Sequence, residues 1–152
     1  IREMNLVKAA TTTGYRYVSG HSEVLNPKMQ ATVDAACLCK MAERGQITGG
    51  ILDGPLGMDN AVDGEAARIK GIVSPVAGRA QILVTPDLEA GNMLAKSLSF
   101  LAGADCAGVV LGARVPIILT SRADSLVTRY ASCAVAAMMV AARRDKMAAT
   151  AA

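Results

Sequence analysis

The stretch VPIILTSRADS, residues 115–125, ends an apolar run in a hydroxyl, a guanidinium and a carboxylate within four residues. Arg122 brings five donors in a planar fork that matches phosphate oxygens, and Ser121 adds a hydroxyl. A helix beginning just after them would add free amides and the positive end of its dipole. Together these groups can hold an anion. Asp124 has two readings, as a base that takes a proton or as the N-cap of the following helix, and the two jobs can coexist.

Three further clusters carry polar side chains or glycines that packing alone does not require. In LDGPLGMDNA, Asp53, Gly54, Asp59 and Asn60 combine backbone freedom with acids able to accept hydrogen bonds, although capping and turn chemistry use the same letters. In SPVAGRA, Ser74 and Gly78 flank a proline-fixed turn, and Arg79 is either a phosphate contact or a surface cation. In PDLEAGNMLAKS, Glu89, Asn92 and Lys96 fall on nearly one helical stripe, which is equally the pattern of a solvated face.

Composition narrows the classes. A net charge of +3, with no basic stripe interleaved with aromatics, argues against a nucleic-acid surface and leaves an anionic small molecule open. Cys37, Cys39, Cys106 and Cys133 lack the paired spacing of a zinc or dithiol site, and there is one histidine, so no metal is expected. Three of the four cysteines lie in Ala- and Val-rich settings and are expected to be buried, reduced thiols, a usage that fits the cytoplasm. YASCAVAAMMVAA, residues 130–142, falls short of the ~20 residues of a membrane span and is expected to be a core helix. No export signal opens the chain. His21 is expected in a surface loop.

The elements that must position the clusters alternate. YRYVS reads as a strand. A helix follows Asn26 as cap and Pro27 as first helical residue, with Met29, Val33, Cys37 and Met41 along one face and Gly45 as its end. ITGGILDGP reads as a strand entering a glycine-broken loop, and DGEAARIKG as a helix that stops at Gly71. AQILVTP is a buried-type strand, after which Asp87 caps a helix from Leu88 to about Leu101. CAGVVLG and VPIILTS give two more strands, the second expected to be covered on both faces, and a last helix runs from Ser125 to roughly Lys146. Such alternation predicts an α/β fold with a largely parallel sheet and flanking helices, and places the clusters at strand ends.

The segments NPKMQATVDAACLCKMAERGQITGGILDGPLGMDNA, EAARIKGIVSPVAGRAQILVTPDLEAGNMLAKSL and AGVVLGARVPIILTSRADS, taken in order, resemble the phosphate acetyltransferase and phosphate butyryltransferase family. The resemblance covers nearly everything from residue 22 to 140, and ILDGPLGMDNA looks closer to the butyryltransferase-like branch. It implies a three-layer α/β fold like that of isocitrate and isopropylmalate dehydrogenases, present here as a partial chain. Residues 1–100 would be the family's second α/β domain, and 101–152 a C-terminal segment that packs with the first domain in full-length relatives. The implied reaction is reversible transfer of an acetyl or butyryl group between coenzyme A and inorganic phosphate, by direct thiolate attack on acyl phosphate.

Carried over by motif, Ser121 and Arg122 take the phosphoryl group and Asp124 the thiol proton, while Ser74, Gly78, Asn92, Lys96 and Asp53 lie near the ligands. The family's acetyltransferases place the acid further along the helix, near Thr128 here. Coenzyme A would be a substrate rather than a tightly bound cofactor. The resemblance implies a homodimer or higher homo-oligomer in the cytoplasm, with no nucleic-acid or membrane partner. Two alternatives remain open at this point: a catalytically incomplete fragment serving as an oligomerisation domain, and another enzyme of the same fold, such as an acyltransferase of lipid synthesis or a metal-dependent dehydrogenase using Asp53, Asp59 and Asp63.

Overall fold

The structure, a computed structural model, describes residues 15–19 and 22–151. His21 lies outside the described residues. The chain divides into two compact units, whose described parts fall within residues 8–94 and 95–152.

Within residues 8–94 the order is β1 (Tyr15–Ser19), α1 (Gln30–Glu43), β2 (Ile51–Leu56), α2 (Met58–Val62), α3 (Gly64–Ile69), β3 (Ile82–Val84) and α4 (Leu88–Lys96), the last crossing the boundary. The three strands form one sheet in the order β2-β1-β3, and both pairings are parallel, with Tyr15 opposite Ile51 and Tyr17 opposite Leu83. Chain direction across the sheet therefore reverses at β1, and the loops leaving all three strands lie along one carboxyl edge. β2 and β3 are mostly half-buried rather than fully covered.

Packing here depends on small residues. Leu56, Ala61, Ala67, Val76 and Ala77 form the buried cluster, with Ile72, Ala80 and Leu83 against it. α1 begins three residues later than its cap letters predict, because Asn26 closes a preliminary turn: its Oδ1 accepts the Lys28 N–H, while the Thr32 hydroxyl accepts the Asn26 N–H at 2.9 Å. The Met29–Val33–Cys37–Met41 face is only partly covered, with Met29 and Val33 half-buried and Cys37 and Met41 exposed. Thr32 and Ala35, both fully buried, form the contact, and their small size lets the helix come close to its neighbours. α2 lies inside a stretch expected to be loop. α4 starts as predicted, with Asp87 Oδ1 accepting the Ala90 N–H at 2.7 Å.

Within residues 95–152 a π-helical turn, Ser97–Leu101, precedes β4 (Val109–Val110), β5 (Ile117–Ile118) and α5 (Leu126–Ala151). β4 and β5 pair antiparallel, Val109 with Ile118 and Val110 with Ile117. This corrects the expected parallel, doubly covered strand: Ile117 and Ile118 are nearly half exposed, and the six residues between the strands allow a hairpin but not the crossover of about a dozen residues that parallel pairing requires. α5 is not the expected core helix either. Of its described side chains only Ser132 and Ala136 are buried, while Leu126, Val127, Tyr130, Met138 and Met147 are exposed. At 26 residues it is also longer than its most apolar stretch suggested, and by length and composition alone it is long and apolar enough to cross a membrane. The cysteines depart from expectation as well, since Cys37 and Cys133 are exposed, Cys39 and Cys106 are half-buried, and all four are free thiols.

Candidate functional site

The segment from Leu119 to Arg129 is a self-supporting turn at the exit of β5. The Leu119 N–H donates to the Gly108 carbonyl at 3.0 Å, which fixes the strand end. Gly108 tolerates no side chain, because a Cβ there would collide with the Leu119 carbonyl. Two residues on, the Ser121 N–H donates to Asp124 Oδ2 at 2.5 Å, and the Asp124 N–H returns to the Ser121 carbonyl at 3.2 Å. The Ser121 hydroxyl accepts the Ala123 N–H. Asp124 therefore closes the turn rather than capping α5. The cap is Ser125, whose Oγ accepts the Thr128 N–H at 3.1 Å.

Within this turn the Leu119, Ser121, Ala123 and Asp124 N–H groups are hydrogen-bonded, while the Arg122 guanidinium is exposed and has no protein partner among the described residues. Its carbonyl is held by Arg129 Nη2 at 3.4 Å. Arg129 and Thr128 were not singled out beyond Thr128's place in the family motif. A basic residue seven positions after Arg122, on the helix that the turn feeds, was the available signal for Arg129. Asp124 Oδ1 likewise has no protein partner among the described residues.

The other predicted residues are placed as follows. Lys96, in the same unit, lies with Nζ 5.3 Å from the Phe100 ring centroid, one helical turn on. Asn92 is exposed on α4, four residues before it. Ser74 is engaged by its own loop, its Oγ accepting the Val76 and Ala77 N–H groups at 2.9 and 3.1 Å. Gly78 adopts φ of 78°, and its N–H donates to the Asn60 carbonyl at 2.8 Å. A side chain there would run into the Gly64 backbone, so its glycine is demanded by the fold itself. Asp53, half-buried on β2, accepts the Gly54 N–H at 2.9 Å.

Two features beside Asp53 bear on its surroundings. The Cys39 thiol lies 3.6 Å from the Gly54 carbonyl and is pushed up to about 11 by burial, with the Asp53 and Glu43 carboxylates adding to the effect. A thiol so protonated at neutral pH is no nucleophile. Beyond β2, Lys70 bridges Asp59 at 2.9 Å and Glu23 at 3.4 Å, and Glu23 also accepts from the fully buried Asn60 at 3.3 Å. The Lys70 hydrogen bond holds Asp59 below its ordinary range, and Asp59 in turn raises Lys70. Glu23 is lowered chiefly by its own backbone N–H and then by Lys70. Gly57 sits under this knot, where a Cβ would meet Asp59 Oδ1 at 2.8 Å. Among the described residues no group of His, Cys, Asp and Glu could hold a metal ion, so the acids Asp53, Asp59 and Asp63 do not form the metal cluster a dehydrogenase would need.

Comparison with known proteins gives the geometry a context. Residues 18–137 match the family described as phosphate acetyl/butaryl transferase. A phosphate acetyltransferase of Rhizobium meliloti is 73% identical over 122 residues, which cover 80% of this chain and 39% of that protein. A phosphate butyryltransferase of Clostridium beijerinckii is 49% identical over 119 residues, covering 78% of this chain and 39% of that protein. The crystal structure of a branched-chain phosphotransacylase from Enterococcus faecalis V583 superposes with a TM-score of 0.74 at 33% identity, covering 86% of this chain and 47% of that one. The chain thus spans about two fifths of the length of the curated relatives it matches. By the extent of the matched residues, the chain belongs to the phosphate acetyl/butaryl transferase family.

Proposed function

We propose that this chain supplies the phosphate-holding portion of a phosphate acyltransferase, which moves an acyl group reversibly between coenzyme A and inorganic phosphate. The observation that carries the reading is the turn at residues 119–125: hydrogen bonds from the Leu119, Ser121, Ala123 and Asp124 N–H groups brace it, while the exposed Arg122 fork has no protein partner among the described residues. A guanidinium on a braced turn loses little freedom when it binds phosphate, and its planar donors fit two oxygens at once. The membership reported above supports the same chemistry.

In the forward direction the phosphate of an acyl phosphate rests on Arg122 and the Ser121 hydroxyl. Asp124, through Oδ1 or a water it orients, takes the proton of the coenzyme A thiol. The thiolate adds to the carbonyl carbon, the C–O bond to phosphate breaks, and the proton passes to the departing phosphate. Arg122 stabilises charge gathering on that leaving group, which is where preorganised donors act most strongly. Holding the two substrates in line supplies a further share, up to ~7–11 kcal/mol in favourable cases. Coenzyme A is a substrate rather than a resident cofactor, and Ser74, Gly78, Asn92, Lys96 and Asp53 match family positions near the ligands. A fold like that of isocitrate and isopropylmalate dehydrogenases, a homo-oligomer and the cytoplasm are what the family resemblance implies, while the 73% identity with a phosphate acetyltransferase against 49% with a phosphate butyryltransferase supports acetyl over butyryl as the group moved.

The test follows release of free thiol from acetyl-CoA and from butyryl-CoA on addition of phosphate. Phosphate-dependent release that vanishes in Arg122→Gln is the expected result. Release indifferent to phosphate, or to Arg122, would remove the reading.

A further inference from the structure

We propose that Ser132 of α5 is a positioning residue for the Ser121–Arg122 pair, an inference that rests on the reading of that pair as the phosphate holder. Ser132 is fully buried in the middle of an apolar helix, where a hydroxyl needs a reason. Its Oγ donates to the Thr128 carbonyl one turn back, at 2.7 Å, and with its lone pairs accepts the Gly108 N–H at 3.0 Å. Back-bonding of this kind is common for serine within helices and leaves the oxygen able to serve an outside donor. Here the outside donor belongs to the residue whose carbonyl receives the Leu119 N–H at 3.0 Å. Helix, Gly108 and strand end form one continuous relay that stops two residues short of Ser121.

The same face of α5 grips the other end of the segment. Arg129, three residues before Ser132, donates to the Arg122 carbonyl at 3.4 Å. Leu119 and Arg122 are thus both tied to α5, one through Ser132 and Gly108, the other through Arg129, with Ser121 between the ties. The two ties differ in strength: the Ser132 bonds, at 2.7 and 3.0 Å, are shorter and partly buried, the Arg129 bond is long and exposed. Ser132 therefore sets where the strand end lies against the helix, and through it the direction in which the pair projects. Alanine at this position would leave the Gly108 N–H without its partner, a loss that buried donors tolerate poorly.

The experiment compares Ser132→Ala with Ala136→Gly, a change one turn further along the same helix at a buried position whose side chain makes no hydrogen bond. Both lower the melting temperature. Only Ser132→Ala is expected to accelerate amide hydrogen exchange at Gly108 and Leu119, to shift the amide resonances of Ser121 and Arg122, and to weaken binding of inorganic phosphate about tenfold, the scale of one buried hydrogen bond. Equal loss of phosphate affinity in the two variants, or unmoved Ser121 and Arg122 resonances in Ser132→Ala, would overturn the proposal. Should Ser132→Ala not fold, Arg129→Gln reads the weaker tie: a shifted Arg122 amide with reduced phosphate affinity supports the relay, and no change in either overturns it. If the unaltered chain binds no phosphate, the phosphate reading fails, while the exchange and resonance data still decide whether Ser132 positions the pair.

Discussion

The two units spend their polar groups in opposite ways. In residues 8–94 the hydroxyls and acids near the sheet edge are consumed by the fold: Ser74 ties its own loop, Gly78 fits against Gly64, and Lys70 joins Asp59 to Glu23. In residues 95–152 the turn is braced so that its strongest donor, Arg122, is left without a protein partner among the described residues. The first unit has a buried cluster around Val76. The second buries Ser132 and Ala136 on a helix whose other apolar side chains are half-buried or exposed where described. Rigidity in the one comes from packing and in the other from hydrogen bonds; exposed guanidinium groups without a protein partner among the described residues occur in both, Arg79 in the first and Arg122 in the second, so what sets Arg122 apart is the braced strand exit with Ser121 and Asp124 beside it.

The sharpest way to break this comparison is Arg122→Gln. Acyl transfer is expected to fall by about 10²–10³, the usual loss when a preorganised donor is removed from a charge that develops in the transition state. The melting temperature should not move, and a large drop in it would show the side chain to be structural after all. Next in size is thiol reactivity, read by mass spectrometry after iodoacetamide at pH 8. Cys37 and Cys133, both exposed, should label first, with Cys39, pushed up to about 11, roughly a hundredfold slower because its thiolate is scarce. Labelling of Cys39 alongside the exposed pair would contradict its placement.

Gly78→Ala should destabilise the first unit by about 2 kcal/mol or more, since a residue with a side chain is strained at that φ and meets the Gly64 backbone. Leu101→Ala, at an exposed position in the other unit, should stay within about 0.5 kcal/mol in the same denaturant titration. The smallest effect is the pH dependence of the Lys70 knot. Asp59 and Glu23 are lowered in the folded chain, so their contribution is complete above their ordinary values of 3.8 and 4.5 and is lost as pH falls through the lower folded values. Lys70 is raised, so its share is present below its ordinary 10.5 and is lost as pH rises through the folded value. Lys70→Met should flatten both limbs of the stability profile, and an unchanged acid limb would count against the knot.

Much of the first unit could be read from local chemistry. Asp87 as a cap, and Gly45 and Gly71 at helix ends with positive φ, were legible, as was Gly103 in the second unit, because caps and left-handed glycines act within a few residues. The short helix α2 was hidden by the turn-forming letters around Met58–Val62, and the buried face of α1 by an apolar stripe that is only partly covered while Thr32 and Ala35 make the contact. Lys70 and Glu23 are 47 residues apart, so no spacing rule connects them. At the candidate site the serine and arginine were legible as a hydroxyl and a guanidinium at a strand exit. Their support was not, because Ser132 reads as one more small residue in YASCAVAAMMVAA until Gly108 is seen to donate to it. The antiparallel hairpin was missed because a two-residue strand carries too little pattern to show its direction.

The most direct measurement is an ¹⁵N-resolved titration of the chain with inorganic phosphate, following the amides from Leu119 to Arg129. The account predicts saturable shifts confined to that segment and abolished by Arg122→Gln. Shifts scattered over the surface without saturation, or persisting unchanged in the Gln variant, would contradict it.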